Sequence, residues 1–170
     1  MPPPCSRGRS KLTYRVGQGY DAHRFAAGRR LVLGGVEIDH PEGLAGHSDA
    51  DVATHALMDA LLGAAGLDDI GALFPDDDPA YAGASSLALL REVTARVRAA
   101  GWEVGNADVT VVCERPRLAD HRAAMRTCLA EALGVSGDAI AVKATTTEGM
   151  GFEGRGEGIA ALAVCLLRRP

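Results

Sequence analysis

Apolar positions recur along the chain in two rhythms, at alternate residues in some stretches and at every third or fourth residue in others. Alternation sets one face of a strand against a core, and the wider spacing sets one side of a helix there. Residues 12–20 read as a first strand that continues to Asp21. Residues 31–38, LVLGGVEI, read as a hairpin turning at Gly34 and Gly35, because glycines accept the positive φ of a tight turn. Ser48 and Asp51 form a capping pair, and a helix is expected over about 49–65, with Val52, Ala53, Ala56, Leu57, Ala60 and Leu61 packed on the sheet. An acidic loop with prolines follows over 66–82. A second helix, about 84–100, carries Leu87, Leu90, Val93 and Val97 at helical spacing and stops at Gly101. Val109, Val111 and Cys113 alternate in a strand over 104–113, a third helix covers about 119–133, and strands are expected over 139–145 and 158–167. Strands separated by helices, with an apolar strand last, predict an α/β fold of the α+β sandwich kind. It would hold one mixed four-stranded sheet, helices on one face and a small hairpin.

Length and composition narrow the picture. A chain of 170 residues suffices for one domain with a sizeable core, expected over residues 13–170. Aromatic residues make up 4%, so the core must be Ala, Leu and Val, and no stacking platform for nucleic acid is expected. Residues 1–12 hold three prolines with scattered Arg and Ser and read as a disordered basic extension. The net charge is −4, but the first fifteen residues hold Arg7, Arg9, Lys11 and Arg15 and no acid; the remainder has 14 basic against 22 acidic residues, a net of −8. A body so acidic binds polyanions poorly, so phosphates would need metal ions beside them. Cys5, Cys113, Cys128 and Cys165 form no C-x-x-C pair and read as small apolar residues of a reducing compartment. No apolar run reaches the ~18 residues of a membrane span, and the N-terminus lacks a secretory apolar core. A cytoplasmic location without membrane or nucleic-acid partners is expected.

The candidate chemistry begins at Asp21-Ala22-His23. On a strand, residues two apart point the same way, so one carboxylate and one imidazole project together. His55, on the following helix, can deliver a third ligand. Two imidazoles and one carboxylate leave a fourth tetrahedral position open, the layout of a catalytic zinc site. His47, Asp51, His55 and Asp59 are each four residues apart and form one helical stripe. That stripe reads either as a solvated face or as a ligand, His55, with Asp51 or Asp59 behind an imidazole. Thr145, Thr146, Thr147 and Glu148 end a strand and enter a glycine-rich run. They read either as a plain strand end or as hydroxyls and N–H groups for phosphate with a carboxylate for a hard cation. No Walker A loop is present.

Five motifs in order, GYDAHRF (19–25), HSDAD (47–51), DIGALFPD (69–76), KATTTE (143–148) and GFEGRGEGIA (151–160), together with LVLGGVEI (31–38) and NADVTVVCERPRL (106–118), resemble the 2-C-methyl-D-erythritol 2,4-cyclodiphosphate synthase family of non-mevalonate isoprenoid biosynthesis. The resemblance covers nearly everything after residue 13. It implies a lyase that closes 4-diphosphocytidyl-2-C-methyl-D-erythritol 2-phosphate to the cyclic diphosphate with release of CMP. Zn2+ would be held by Asp21, His23 and His55, and a second divalent ion, Mg2+ or Mn2+, by Glu148. His47 and Ser48 would contact phosphate, with His47 and Thr146 supporting the transition state. Asp69, Ile70 and Gly71 would hold the erythritol and ribose part, and Phe74, Pro75, Asp76, Asp77 and Asp78 would line the methylerythritol pocket. Cys113, Glu114, Arg115, Pro116, Arg117, Leu118 and Ala119 would wrap the cytosine, and Thr145, Thr146, Thr147 and Glu148 would grip the diphosphate. The resemblance further implies a homotrimer with sites between neighbours, and a central cavity, faced by Phe152, Arg155 and Glu157, that accepts an isoprenoid diphosphate. Arg117 stands where the family usually has Lys, which keeps the charge but changes its shape. Two rival readings share parts of this pattern: a metal-dependent nucleotide hydrolase, and an isoprenoid-diphosphate binding module without catalysis.

Overall fold

The computed structural model describes residues 13–170 except 76 and 82, so the expected extension over residues 1–12 and Asp76 lie outside the described residues. A long first strand β1 (Tyr14–Ala27) leads into the hairpin strands β2 (Leu31–Leu33) and β3 (Val36–Ile38), and then a short β4 (Glu42–Leu44). Helix α1 (Val52–Ala65), a one-turn α2 (Ile70–Leu73) and α3 (Ser86–Ala99) follow. The second half is β5 (Glu103–Val112), α4 (Arg122–Leu133), β6 (Ile140–Thr145), a one-turn α5 (Gly151–Gly154) and β7 (Gly158–Arg168).

The main sheet has five strands in the order β4-β1-β7-β5-β6, one more than expected, with β2 and β3 paired separately. Every neighbouring pair in it is antiparallel except β5 and β6, which α4 joins as a parallel crossover. The added strand is β4, three residues that pair with the last residues of β1, Phe25 opposite Leu44 to Ala27 opposite Glu42. β1 therefore runs six residues past Asp21, the expected end. It first pairs with β7, from Tyr14 opposite Arg168 to Arg24 opposite Gly158, and then turns its far end to β4.

The helices lie on one face of the sheet, and the odd-numbered positions of β1 face them. Gly17 and Gly19 are buried on that side, whereas Tyr14, Val16 and Tyr20 are exposed on the other. A Cβ at Gly17 would lie 1.9 Å from the Ala60 carbonyl oxygen, and one at Gly19 would lie 1.9 Å from that of Ala56. Helix backbone thus rests directly on strand backbone, which only glycine permits. α1 packs between the sheet and α3: twelve of its fourteen residues are buried, and only Asp59 and Gly63 reach solvent, too few for a solvated face. This removes the solvated reading of the stripe through His55.

Asp51, not Ser48, caps α1, and the helix starts three residues later than expected. Fully buried, Asp51 accepts from Thr54 N–H at 3.1 Å, the Thr54 hydroxyl at 2.7 Å, and the Gly34 and Gly35 N–H groups at 2.8 and 2.7 Å. Burial pushes its carboxyl up, and these four bonds oppose that rise. One side chain therefore ties the hairpin to the start of the central helix. The positive φ at Gly34 and Gly35, 56° and 77°, turns both amides toward it.

Candidate active site

β1 continues past the glycines, so Asp21 and His23 lie on the same face as Gly17 and Gly19 and project where α1 begins. His55, in the first turn of α1, meets them. Asp21 Oδ2 is 3.0 Å from His23 Nε2 and 3.0 Å from His55 Nδ1, and the two ring nitrogens are 3.4 Å apart. Two donors of a tetrahedral zinc ion at ~2.0–2.2 Å would be about 3.3–3.6 Å apart, so a small expansion of this triangle seats a cation. The three donor atoms lie within 4.8 Å of one another, the one such cluster among the described residues. Two nitrogens and one oxygen without thiolate suit zinc with a coordination position left for a ligand. Burial alone would raise the Asp21 carboxyl, but hydrogen bonds to His23 and His55 hold it well below the usual carboxylate range. Burial alone would lower the His55 imidazole, but the Asp21 carboxylate raises it.

Neither carboxylate expected behind an imidazole is there. Asp51 serves the cap and hairpin described above. Asp59 accepts the Ile70 N–H at 2.9 Å, which seats α2 beside the cleft. The remaining nitrogen of His55, Nε2, instead meets the Ser86 hydroxyl at 2.9 Å and the Ser48 hydroxyl at 3.2 Å. Asp49 accepts the Ser86 N–H at 2.9 Å and also takes the Ser86 hydroxyl proton. Sequence reasoning missed Asp49 and Ser86, which look like ordinary helix-start residues separated by a long acidic loop.

A cleft of about 190 Å³ opens beside the triad. His47, Ser48, Ile70, Gly71 and Phe74 line it with Asp21, His23 and His55, and Gly46, Met58, Tyr81 and Leu89 add walls that the sequence did not point to. His47 Nε2 donates to the Asp78 carbonyl at 3.2 Å, which joins the loop after α2 to the site. Asp69 is exposed and caps α2 through Ala72 N–H at 2.9 Å; Pro75 is half-buried and Asp77 exposed.

The other expected residues gather elsewhere. Cys113, Glu114, Pro116, Arg117, Leu118 and Ala119 form a second cleft with Thr145 and Thr146 at the ends of β5 and β6, where Arg122 and Ala144 join them. It shares no lining residue with the first. Burial pushes the Cys113 thiol up to about 11, so it packs as an inert neutral group. Arg115 is exposed. Glu114 accepts the Thr147 and Gly149 N–H groups at 3.1 and 3.2 Å, bracing the glycine-rich turn. Glu148 is exposed at φ 55° and accepts the Thr146 hydroxyl at 2.8 Å. Phe152 shares a third cleft with His23 and Glu157, and Arg155 pairs with Glu157 at 2.6 Å.

The family model described as the YgbB family matches residues 14–168. The chain belongs to the YgbB family. It is 62% identical over 156 residues to 2-C-methyl-D-erythritol 2,4-cyclodiphosphate synthase of Methylococcus capsulatus (strain ATCC 33009 / NCIMB 11132 / Bath), which covers 92% of this chain and 99% of that enzyme. It is 61% identical over 170 residues to the bifunctional enzyme IspD/IspF of Anaeromyxobacter sp. (strain Fw109-5), of whose length it spans 44%. Among solved structures, IspF of Plasmodium falciparum in a CDP complex superposes with a TM-score of 0.82 at 31% identity, over 94% of this chain and 99% of that one. The fold of this family member is thus an α/β fold with a mixed sheet and helices. No helix among the described residues is long and apolar enough to cross a membrane.

Proposed function

We propose that the chain is a 2-C-methyl-D-erythritol 2,4-cyclodiphosphate synthase, a lyase acting on 4-diphosphocytidyl-2-C-methyl-D-erythritol 2-phosphate. The carrying observation is the Asp21, His23 and His55 triangle at the head of a cleft, in a chain whose relatives bear that name. In the reaction, an oxygen of the 2-phosphate forms a bond to the β-phosphorus while the bond from that phosphorus to the CMP oxygen breaks. The attacking oxygen is already ionised near neutral pH, so no general base is needed. Phosphoryl transfer asks the protein chiefly for alignment and charge stabilisation.

Zinc at the triad and magnesium or manganese beside Glu148 would supply polarisation of the β-phosphate and neutralisation of the leaving CMP. Glu148 is one carboxylate beside three hydroxyls, the sparse set that suits an ion sharing its ligands with a diphosphate. The chain's own groups do the rest. Ser48 and His47 stand at the rim of the triad cleft to orient the 2-phosphate, and Phe74 and Ile70 exclude water from the carbon skeleton. Thr145, Thr146 and Thr147 offer hydroxyls to the diphosphate, and the residues at 113–119 cradle the cytosine. Holding both ends of one substrate together uses proximity, which can contribute up to ~7–11 kcal/mol.

The two clefts must then meet across subunits, which is the reading of a homotrimer. The sheet face without helices supports it: Val16 is 69% exposed, Tyr20 53%, Val164 47% and Leu162 37%. An apolar patch on strands that is otherwise left to water marks an interaction surface. Such an enzyme would work in the cytoplasm.

Incubation with the cytidylyl substrate, followed by phosphorus NMR, tests the reaction. The cyclic diphosphate and CMP should appear together. Linear phosphate products would mean hydrolysis, and tight binding without CMP release would mean a binding module.

A further inference from the structure

His55 can serve as a ligand in only one tautomer. Its Nδ1 faces Asp21 Oδ2 at 3.0 Å and His23 Nε2 at 3.4 Å. To bind a cation there Nδ1 must offer a lone pair, so the ring proton must sit on Nε2. An imidazole beside a carboxylate favours the reverse: Nδ1–H would donate to Asp21 and close the site. A group behind the ring must therefore keep the proton on Nε2.

Hydrogen-bond polarity identifies that group. A carboxylate only accepts. Asp49 accepts both the backbone N–H and the hydroxyl proton of Ser86. With its proton committed to Asp49, the Ser86 oxygen can only accept from His55 Nε2, 2.9 Å away. Ser86 is fully buried, so water does not compete for this oxygen.

We propose that Asp49 and Ser86 form a relay that fixes His55 as the Nε2–H tautomer, with Nδ1 open to a metal ion. The proposal rests on the reading of Asp21, His23 and His55 as a zinc triad. Asp49 and Ser86 are positioning residues, and neither touches substrate. A consequence follows for Ser48. Its oxygen accepts the Ala50 N–H at 3.1 Å and lies 3.2 Å from His55 Nε2. A protonated Nε2 cannot take the Ser48 proton, so that proton stays free for a phosphate oxygen in the cleft. The relay thus sets two donors at once, a nitrogen lone pair toward the metal and a hydroxyl toward the substrate.

The test uses the full chain and zinc alone. Ser86→Ala keeps the backbone N–H that Asp49 accepts, so α3 stays anchored, but it removes the oxygen behind His55. Zinc affinity, read by competition with a chelator, should fall about 10–100-fold, the usual cost of losing a group behind a metal-bound imidazole. The His55 Nε2–H signal in nitrogen-15 NMR of the zinc-loaded protein should exchange faster with water. Ser86→Thr, which keeps the hydroxyl, should restore both, and Asp49→Asn should weaken zinc binding by a smaller factor. If Ser86→Ala does not fold, Ser86→Cys, with a weak donor and acceptor of similar size, carries the same comparison. Zinc affinity equal to that of the wild type in the folded Ala or Cys variant overturns the relay and leaves the zinc triad standing. A wild-type chain that binds no zinc overturns the triad, and the relay with it.

Discussion

The cleft around Asp21 and the cleft at the ends of β5 and β6 are built in opposite ways. In the first, each imidazole is braced from behind or beside: His55 by Ser86 and Ser48, His23 by Asp21, and His47 by the Asp78 carbonyl. In the second, Thr145, Thr146 and Glu148 are exposed, and the bonds run among neighbours, Thr146 to Glu148 and Thr147 to Glu114. The difference shows where geometry must be set before binding. A metal ion tolerates errors of a few tenths of an ångström in its donors, whereas a diphosphate can be gripped by hydroxyls that rotate to meet it. The triad's donors and the groups that brace them all come from this one chain, whereas the threonines and Glu148 of the second cleft stay open to solvent.

Substitutions on either side can break that contrast. The largest effect should come from His55→Ala. Bound zinc should fall well below one per chain by elemental analysis, and turnover should drop about 10³-fold or more, since a catalytic metal stabilises charge by several kcal/mol. Zinc retained at the wild-type level would remove His55 from the ligand set. Glu148→Gln should keep its zinc and lose about 10²-fold in turnover. If added magnesium or manganese stimulates this variant as fully as the wild type, the second ion does not sit at Glu148.

Mixing the two defects sharpens the comparison. His55→Ala chains, refolded with chains carrying Thr146→Ala and Glu148→Gln, should pair a sound triad with a sound loop at roughly a quarter of interfaces. Activity should return to about that fraction of the wild type, although neither parent has it. Mixed trimers confirmed by mass spectrometry but inactive would place both halves in one chain. Smaller and opposite in sign are two glycine changes. Gly19→Ala should cost about 1–3 kcal/mol by denaturant unfolding, because the new methyl meets the Ala56 carbonyl. Gly63→Ala, in the same helical layer but with open space around its Cβ position, should gain about 0.5–1 kcal/mol.

Local pattern made much of the fold legible. α3 and β5 fell within one or two residues of expectation because their apolar positions recur at a single period. β4 was invisible because three residues, only one of them strongly apolar, cannot show alternation; it exists because β1 overruns its partner β7. The start of α1 was misread because two of Asp51's four donors come from Gly34 and Gly35, far back in the chain. At the site, Asp21 and His23 were legible from parity along one strand, and the family motifs pointed to His55. The partners of His55 were not. Asp49 and Ser86 are 37 positions apart and meet only after the acidic loop folds over the cleft. The triad residues and the residues at 113–119 and 145–146 line two separate clefts of the one chain, a separation that motif order along the sequence could not show.

Gly17 and Gly19 have a consequence for tolerance. With hydrogens in place of methyl groups, the backbone of α1 sits in β1 like a key in its slot, at the Ala60 and Ala56 carbonyls. A slip of one residue would slide the helix about 1.5 Å and rotate it by about 100°, carrying His55 out of reach of Asp21. That slip is barred by main-chain atoms, which have no rotamers to relax into. The alignment of the three ligands is therefore a machining tolerance of the main chain, set one layer beneath the side chains that use it.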